Sequence, residues 1–150
     1  MREAGVQEAG EIMRVINAAF NPAEGFFVDG DRVSLDDVLH YFERGVFLVT
    51  DDMTGCIYVE LRGDRAYFGL LSVDPARQKG GIGRALIVAA EAYGREHGCT
   101  FMDLRIVNLR AELPAFYGKL GYREAGTEEF TPGAPTKLPC HFIKMQKSLA

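Results

Sequence analysis

Cysteine is scarce in this sequence, and its arrangement excludes several chemistries. Cys56, Cys99 and Cys140 are odd in number and widely spaced, and no Cys-x-x-Cys occurs. A disulfide framework and a zinc site are therefore not expected, no metal is expected, and a reducing compartment fits. Cys140 stands beside His141, but no recognisable nucleophile setting surrounds the pair, so a thiol protease is set aside. No apolar run approaches the length of a membrane span. The opening Met1-Arg-Glu-Ala-Gly has none of the marks of a signal peptide, so a cytoplasmic protein is expected. No basic block is present and the net charge is −4, which speaks against a nucleic-acid partner. There is no repeat, linker or low-complexity segment. What remains is a globular chain with 47% hydrophobic residues, read as a single domain over residues 1–150.

The informative stretch is Val73-Asp-Pro-Ala-Arg-Gln-Lys-Gly-Gly-Ile-Gly-Arg-Ala-Leu86. It follows an apolar run ending at Val73 that reads as a strand, and it leads into an Ala/Leu/Ile/Val run that reads as a helix. Gly80, Gly81 and Gly83 lie between them, flanked by Lys79 and Arg84. Glycines let a ligand approach the backbone closely. A helix start adds unpaired N–H groups and the positive end of a dipole. Together these favour a phosphate-bearing ligand. A dinucleotide fingerprint fails, because Gly81 and Gly83 are followed by Leu86. A Walker loop fails too, since Gly118-Lys119 is followed by Leu120.

Apolar spacing predicts a helix over Val6–Phe20, ended by Asn21-Pro22. Residues 1–4 read as a short edge strand. Ser34 reads as the cap of a helix over Leu35–Arg44, with Leu35, Val38, Leu39 and Phe42 facing the core and Gly45 as its stop. Three antiparallel strands follow: Val46–Thr50, Cys56–Arg62 and Arg65–Val73. In the second, Ile57, Val59 and Leu61 alternate with a polar face of Tyr58 and Glu60. Gly63-Asp64 suits a tight hairpin turn. The glycine loop, a helix over Gly83–His97 presenting Leu86, Ala90 and Tyr93, and a strand over Thr100–Val107 form a βαβ unit, so its strands should be parallel. A short helix starting at Pro114, a strand from Tyr122, a proline-rich loop over Glu128–Pro139 and a strand over Cys140–Lys147 complete the chain.

Gln78-x-x-Gly81-x-Gly83 resembles the coenzyme A loop of the GCN5-related N-acetyltransferases (GNAT), written Q/R-x-x-G-x-G/A. The Val73-Asp74-Pro75 lead-in and the Ile82 to Leu86 continuation are similar to that family as well. A second likeness runs from Asn108 to Tyr122. It is similar to the family's N-x-x-A … Y-x-x-x-G-[FY] segment, with a longer spacing from Asn108 to Tyr117 than the commonest form. The element order is also that of the family. The resemblance implies an α+β fold: a mixed, mostly antiparallel sheet of about 6–7 strands with about 4 helices and a central βαβ acyl-CoA unit.

It further implies an acyl-CoA-dependent N-acyltransferase, with acetyl-CoA as co-substrate and a small-molecule or peptide primary amine as acceptor. The binding residues carried over are Leu71, Ser72 and Val73 on the strand, Gln78, Lys79, Gly80, Gly81, Ile82, Gly83 and Arg84 in the loop, and Asn108 and Tyr117 beyond it. The Val73 N–H would face the thioester oxygen, and Asn108 would bond the pantetheine amide. Tyr117 is the implied acid: a phenol, of pKa about 10, can protonate a thiolate of pKa about 8.5. For the base, Glu60 is the first candidate, beside the expected cleft. Asp103 (paired on its strand face with Arg105), His141 and a water relay are weaker ones. Phe26, Phe27, Asp29, Asp31 and Arg32 are candidates for the acceptor pocket, the two aromatics serving equally well as packing. A sensing module without turnover is the rival reading, a nucleotide-binding βαβ protein a third. A homodimer through the late strands would follow family habit.

Overall fold

A two-residue strand, β1 (Arg2–Glu3), opens the chain, and a 3-10 turn over Val6–Glu8 leads into helix α1 (Ala9–Glu24). Helix α2 (Leu35–Arg44) precedes strands β2 (Val46–Val49), β3 (Gly55–Arg62) and β4 (Arg65–Val73). A 3-10 segment, Pro75–Gly80, joins β4 to helix α3 (Ile82–Glu96), which returns to β5 (Phe101–Val107). Helix α4 (Leu113–Gly118) and strands β6 (Arg123–Glu129) and β7 (His141–Ser148) follow. The computed structural model describes residues 1–130 and 136–150, so the middle of the proline-rich segment lies outside the described residues.

All seven strands share one sheet in the order β1-β2-β3-β4-β5-β7-β6. Neighbours are antiparallel except β4 and β5, the parallel pair of the βαβ unit. This is the mixed, mostly antiparallel α+β sheet expected. β7 inserts between β5 and β6 and leaves β6 at the margin, exposed at every residue. No described helix is long and apolar enough to cross a membrane.

The sheet is covered on both faces. On one, Leu86, Ile87 and Ala90 of α3 pack with Ile57, Val59, Met102 and Leu104. On the other, Ile12 and Ile16 of α1 and Val38 of α2 pack with Phe47, Tyr58 and Leu70. β3 therefore has no polar face along its first half: Cys56, Ile57, Tyr58 and Val59 are all buried. Tyr58 lies under the Tyr41 ring, centroids 4.7 Å apart. The core side of α2 differs as well. Val38 is buried, with Tyr41 and Phe42 partly so, whereas Leu35 and Leu39 are 45% and 37% exposed. A Cβ on Gly45 would stand 2.3 Å from the Val59 carbonyl oxygen. That close approach fixes the helical stripe 38, 41, 42, 45 against the sheet, turning Leu39 aside and leaving Leu35 at the open first turn.

Local signals explain the other ends. Ser34 Oγ accepts the Asp37 N–H at 3.1 Å while the Asp37 carboxylate accepts the Ser34 N–H at 2.9 Å, a reciprocal cap. Gly63 has φ 69 and Arg62 pairs with Arg65 across the hairpin. α1, however, does not stop at Asn21-Pro22; Pro22 lies inside it. Proline there loses the bond its own N–H would have made and crowds the carbonyl four residues back, but the turn beyond it still forms. The Gly25 N–H still closes the turn on the Asn21 carbonyl at 2.9 Å. The extra turn carries Glu24 inward. A second buried carboxylate, Glu91 on α3, accepts the Tyr122 hydroxyl at 2.8 Å and the Lys147 ammonium at 3.1 Å.

Candidate functional site

β4 and β5 pair only at Arg65 with Phe101, Ala66 with Met102 and Tyr67 with Asp103. Beyond that they part, although β4 runs on to Val73 and β5 to Val107. The cause lies in β4. Its register with β3 shifts between Cys56 and Tyr58, and Leu70 sits at φ 54. An extra residue bends and twists its strand, and here the bend swings the end of β4 away from β5. Ser72 supports the bulge from within: its hydroxyl donates to the Leu70 carbonyl at 2.9 Å. The inner edges of the gap are backbone without a partner strand.

One end of the gap meets the glycine loop. Asp74 caps the 3-10 segment by accepting the Ala76 N–H at 2.9 Å. Gln78 Nε2 donates to the Val73 carbonyl at 3.2 Å and ties the loop to the strand end. Gly81 takes φ 80 and starts α3, and no side chain caps that start. The amides of Ile82, Gly83 and Arg84 therefore have no carbonyl a turn before them. A Cβ on Gly80 or Gly81 would meet nothing within 4 Å. Lys79 and Arg84 have no ion-pair partner among the described residues. This donor set, all N–H and cation over open space, fits a diphosphate.

The other end opens into a cavity of about 180 Å³. Leu71, Ile106, Val107 and Tyr117 form its gap side, and Glu24, Arg32, Tyr41, Tyr67 and Arg105 form the side under α1 and α2. Tyr117, on α4, is 6% exposed. Phe68 and Tyr122 fix its ring, with centroids 6.0 Å away in each case. Its hydroxyl has no partner among the described hydrogen bonds, yet no buried side-chain oxygen there lacks one. The hydroxyl is therefore open to the cavity. Burial pushes it up to about 12, with Arg110 pulling the other way.

Two carboxylates, Glu60 and Glu24, differ in their relation to this cavity. Glu60 does not line this cavity. It accepts the Tyr58 hydroxyl at 2.6 Å and is bonded by Arg62. Burial pushes Glu60 up, but Tyr58, Arg62 and Arg44 together outweigh it and hold the carboxyl below its ordinary value. Glu24 does line the cavity and is 7% exposed. Its Oε2 accepts from Arg110 at 3.1 Å. Its Oε1 has no partner among the described residues and, by the same reasoning as for Tyr117, faces open space. Burial raises the Glu24 carboxyl, with Arg110 and Arg32 opposing.

The remaining candidates fall as follows. Asp103 pairs with Arg65, at 2.6 and 2.7 Å, and not with Arg105, which pairs with Glu128. Cross-strand reach between β4 and β5 outcompetes the i+2 neighbour on one strand. Asn108 Oδ1 accepts the His141 N–H at 2.8 Å, and its own N–H donates to the His141 carbonyl, so Asn108 extends the β5–β7 pairing. Phe27 is buried with Val107 and Phe142, while Phe26 is exposed. Asp29 pairs with Lys137, and Asp31 accepts from Asn21. Among the acceptor-pocket candidates only Arg32 lines the inner cavity. Glu24, Arg110, Tyr67 and Arg105 were not singled out from the sequence. One signal for Glu24 was present: it stands four residues after Phe20, one helical turn along the same face.

The sequence matches the family described as acetyltransferase (GNAT) domain over residues 43–124, a span that holds both parted strands, the glycine loop and Tyr117. No curated protein matches. Among solved structures, the ribosomal-protein-S18-alanine N-acetyltransferase from Escherichia coli superposes with a TM-score of 0.74 at 18% identity, over 99% of this chain and 92% of that one. A GNAT-family acetyltransferase from Staphylococcus aureus Mu50 gives 0.71 at 19%, over 99% and 98%. The structure of yncA from Salmonella typhimurium with its cofactor acetyl-CoA gives 0.72 at 20%, over 99% and 92%. At such identities the likeness is one of fold.

Proposed function

Because this chain belongs to the GNAT acetyltransferase family, we propose that it moves an acetyl group from acetyl-CoA directly to a primary amine. One observation carries this reading: a single gap between parallel strands runs from an uncapped, glycine-lined helix start to a cavity holding Tyr117 and Glu24. Bound acetyl-CoA would supply the acetyl group as a reactive thioester. The Gln78–Arg84 loop would hold the diphosphate through its amides, with Lys79 and Arg84 adding charge. The unpaired edge of β4 at Leu71, Ser72 and Val73 would bind the amide-bearing arm as an added strand, and the Val73 N–H would stabilise the oxyanion. Asn108, its Oδ1 taken by His141, would offer Nδ2 to the same arm.

In this reading Tyr117 Oη keeps its proton at neutral pH and delivers it to the departing thiolate. Glu24 takes the proton from the acceptor amine, since it, unlike Glu60, faces the cavity. A carboxyl raised toward neutrality is the better matched base.

Titration calorimetry with acetyl-CoA, coenzyme A and ATP tests the central site. Binding of both coenzyme species and not of ATP is expected. Binding of neither would remove the assignment of the Gln78–Arg84 loop. Acceptor-dependent thiol release across a panel of amines then separates an enzyme from a sensor, which would bind and release nothing.

A further inference from the structure

The inner cavity does not end blindly. Arg32, Tyr41, Arg105 and Phe130 line both it and a second, outer cavity of about 490 Å³. These four side chains form the threshold between the two, and two of them are guanidinium groups. Arg105 is already occupied: it donates to Glu128 at 2.8 Å and stacks over the Phe142 ring at 4.1 Å. Arg110, deeper in, is shared between Glu24 and Glu112.

Arg32 differs from both. It is half-buried and lies 5.6 Å over the Phe20 ring. No described carboxylate pairs with it. The acids around it are engaged elsewhere. Asp31 accepts from Asn21, Asp29 is ion-paired with Lys137, and Asp37 caps α2 through Ser34. A guanidinium drawn partly out of water without a carboxylate in contact leaves its donors unmatched, and its planar fork fits a carboxylate. On the inner side of this threshold, Glu24 Oε1 faces open space near enough for Arg32 to act on its charge. One wall of the cavity thus offers a carboxylate to a cation, and the threshold offers a cation to a carboxylate.

We infer that the acceptor is an amine that also carries a carboxylate, of amino-acid size, with its ammonium group toward Glu24 and its carboxylate on Arg32. This rests on the transferase reading for the orientation of the amine, but the carboxylate site stands on Arg32 alone. A side chain on such an acceptor has room in the outer cavity, beside Tyr41 and His40.

The test is calorimetric titration of the coenzyme A-loaded protein with a panel of α-amino acids, each beside its carboxamide. At least one acid is expected to bind roughly tenfold more tightly than its amide. Arg32→Ala should abolish that difference and leave coenzyme A affinity unchanged, and Arg32→Lys should restore part of it. Carboxamides that bind as well as their acids, no binding by any acid, or a difference that survives Arg32→Ala would each overturn the inference. Thiol release is read separately. Acid-selective binding without thiol release would end the transferase reading and keep the carboxylate site. Thiol release with carboxamides alone would do the reverse.

Discussion

Tyr117 and Glu24 line one cavity; in the proposed reading their protonation demands are opposite, and each makes a distinct prediction. Tyr117→Phe removes only the hydroxyl and keeps the ring between Phe68 and Tyr122. The expected result is a drop of roughly 10²-fold in kcat with little change in coenzyme A affinity. A phenol held near 12 also puts no alkaline limb on the rate below about pH 10. Glu24 behaves inversely: a base works ionised, so activity falls as pH drops through a value above the ordinary 4.5. In Glu24→Gln that acid limb should vanish from kcat/KM, leaving only the limb of the acceptor amine, and Arg110 keeps Glu112 as its partner. Tyr117 was legible in the sequence because a family pattern surrounds it. Glu24 was not, because a proline two residues earlier argued that the helix had ended. Glu60 looked available because alternation alone cannot show that Tyr58 and Arg62 fold back on it.

Elements were read well where one rule governs them and poorly where two faces compete. The Ser34 cap, the Gly63 hairpin and the βαβ unit follow from local chemistry. The apolar side of α2 does not, since Leu35, Val38, Leu39 and Phe42 are chemically alike and the choice among them is made at Gly45 against β3. Buried charge on α3 was likewise invisible, because the partners of Glu91 arrive from β7 and from the turn between α4 and β6. Glu91→Ala should cost about 3 kcal/mol, leaving a half-buried ammonium and a buried hydroxyl without their acceptor. Tyr122→Phe, which spares the Glu91–Lys147 contact, should cost about 1 kcal/mol. Chemical denaturation of the two variants checks that order. At the other margin, β1 is clamped by Arg2 on Glu8 at 2.6 Å. Arg2 and the Gly5 N–H hold the Glu8 carboxyl down at about 2, from 4.5. Its contribution is present above pH 4.5 and is lost as pH falls toward 2. Acidification across that window should lower the protection of the Ala4 amide, which donates to the Phe47 carbonyl of β2, when its exchange is compared with the intrinsic rate at each pH.

Across the whole molecule, the layered α+β arrangement was readable from the alternation of periods, and the strand order at the late end was not. Nothing in the composition of residues 123–148 says that the last strand enters between its two predecessors. The insertion has a consequence in time. β3 and β4 join through a two-residue turn, a local pairing that closes at little entropic cost. Beyond its three-residue pairing with β4, β5 must wait for β7, pairing Phe101 with Ser148, and β6 has no neighbour but β7 among the described strands. α4, which carries Tyr117, lies in the chain between those two waiting strands. The Gln78–Arg84 loop can therefore take shape early, while the tyrosine seat is assembled last. Pulse-labelled exchange during refolding should show amides of β3 and β4 protected before those of β6. On the proposed reading, an enzyme caught midway would hold its coenzyme loop in order and still have no acid to complete a turnover.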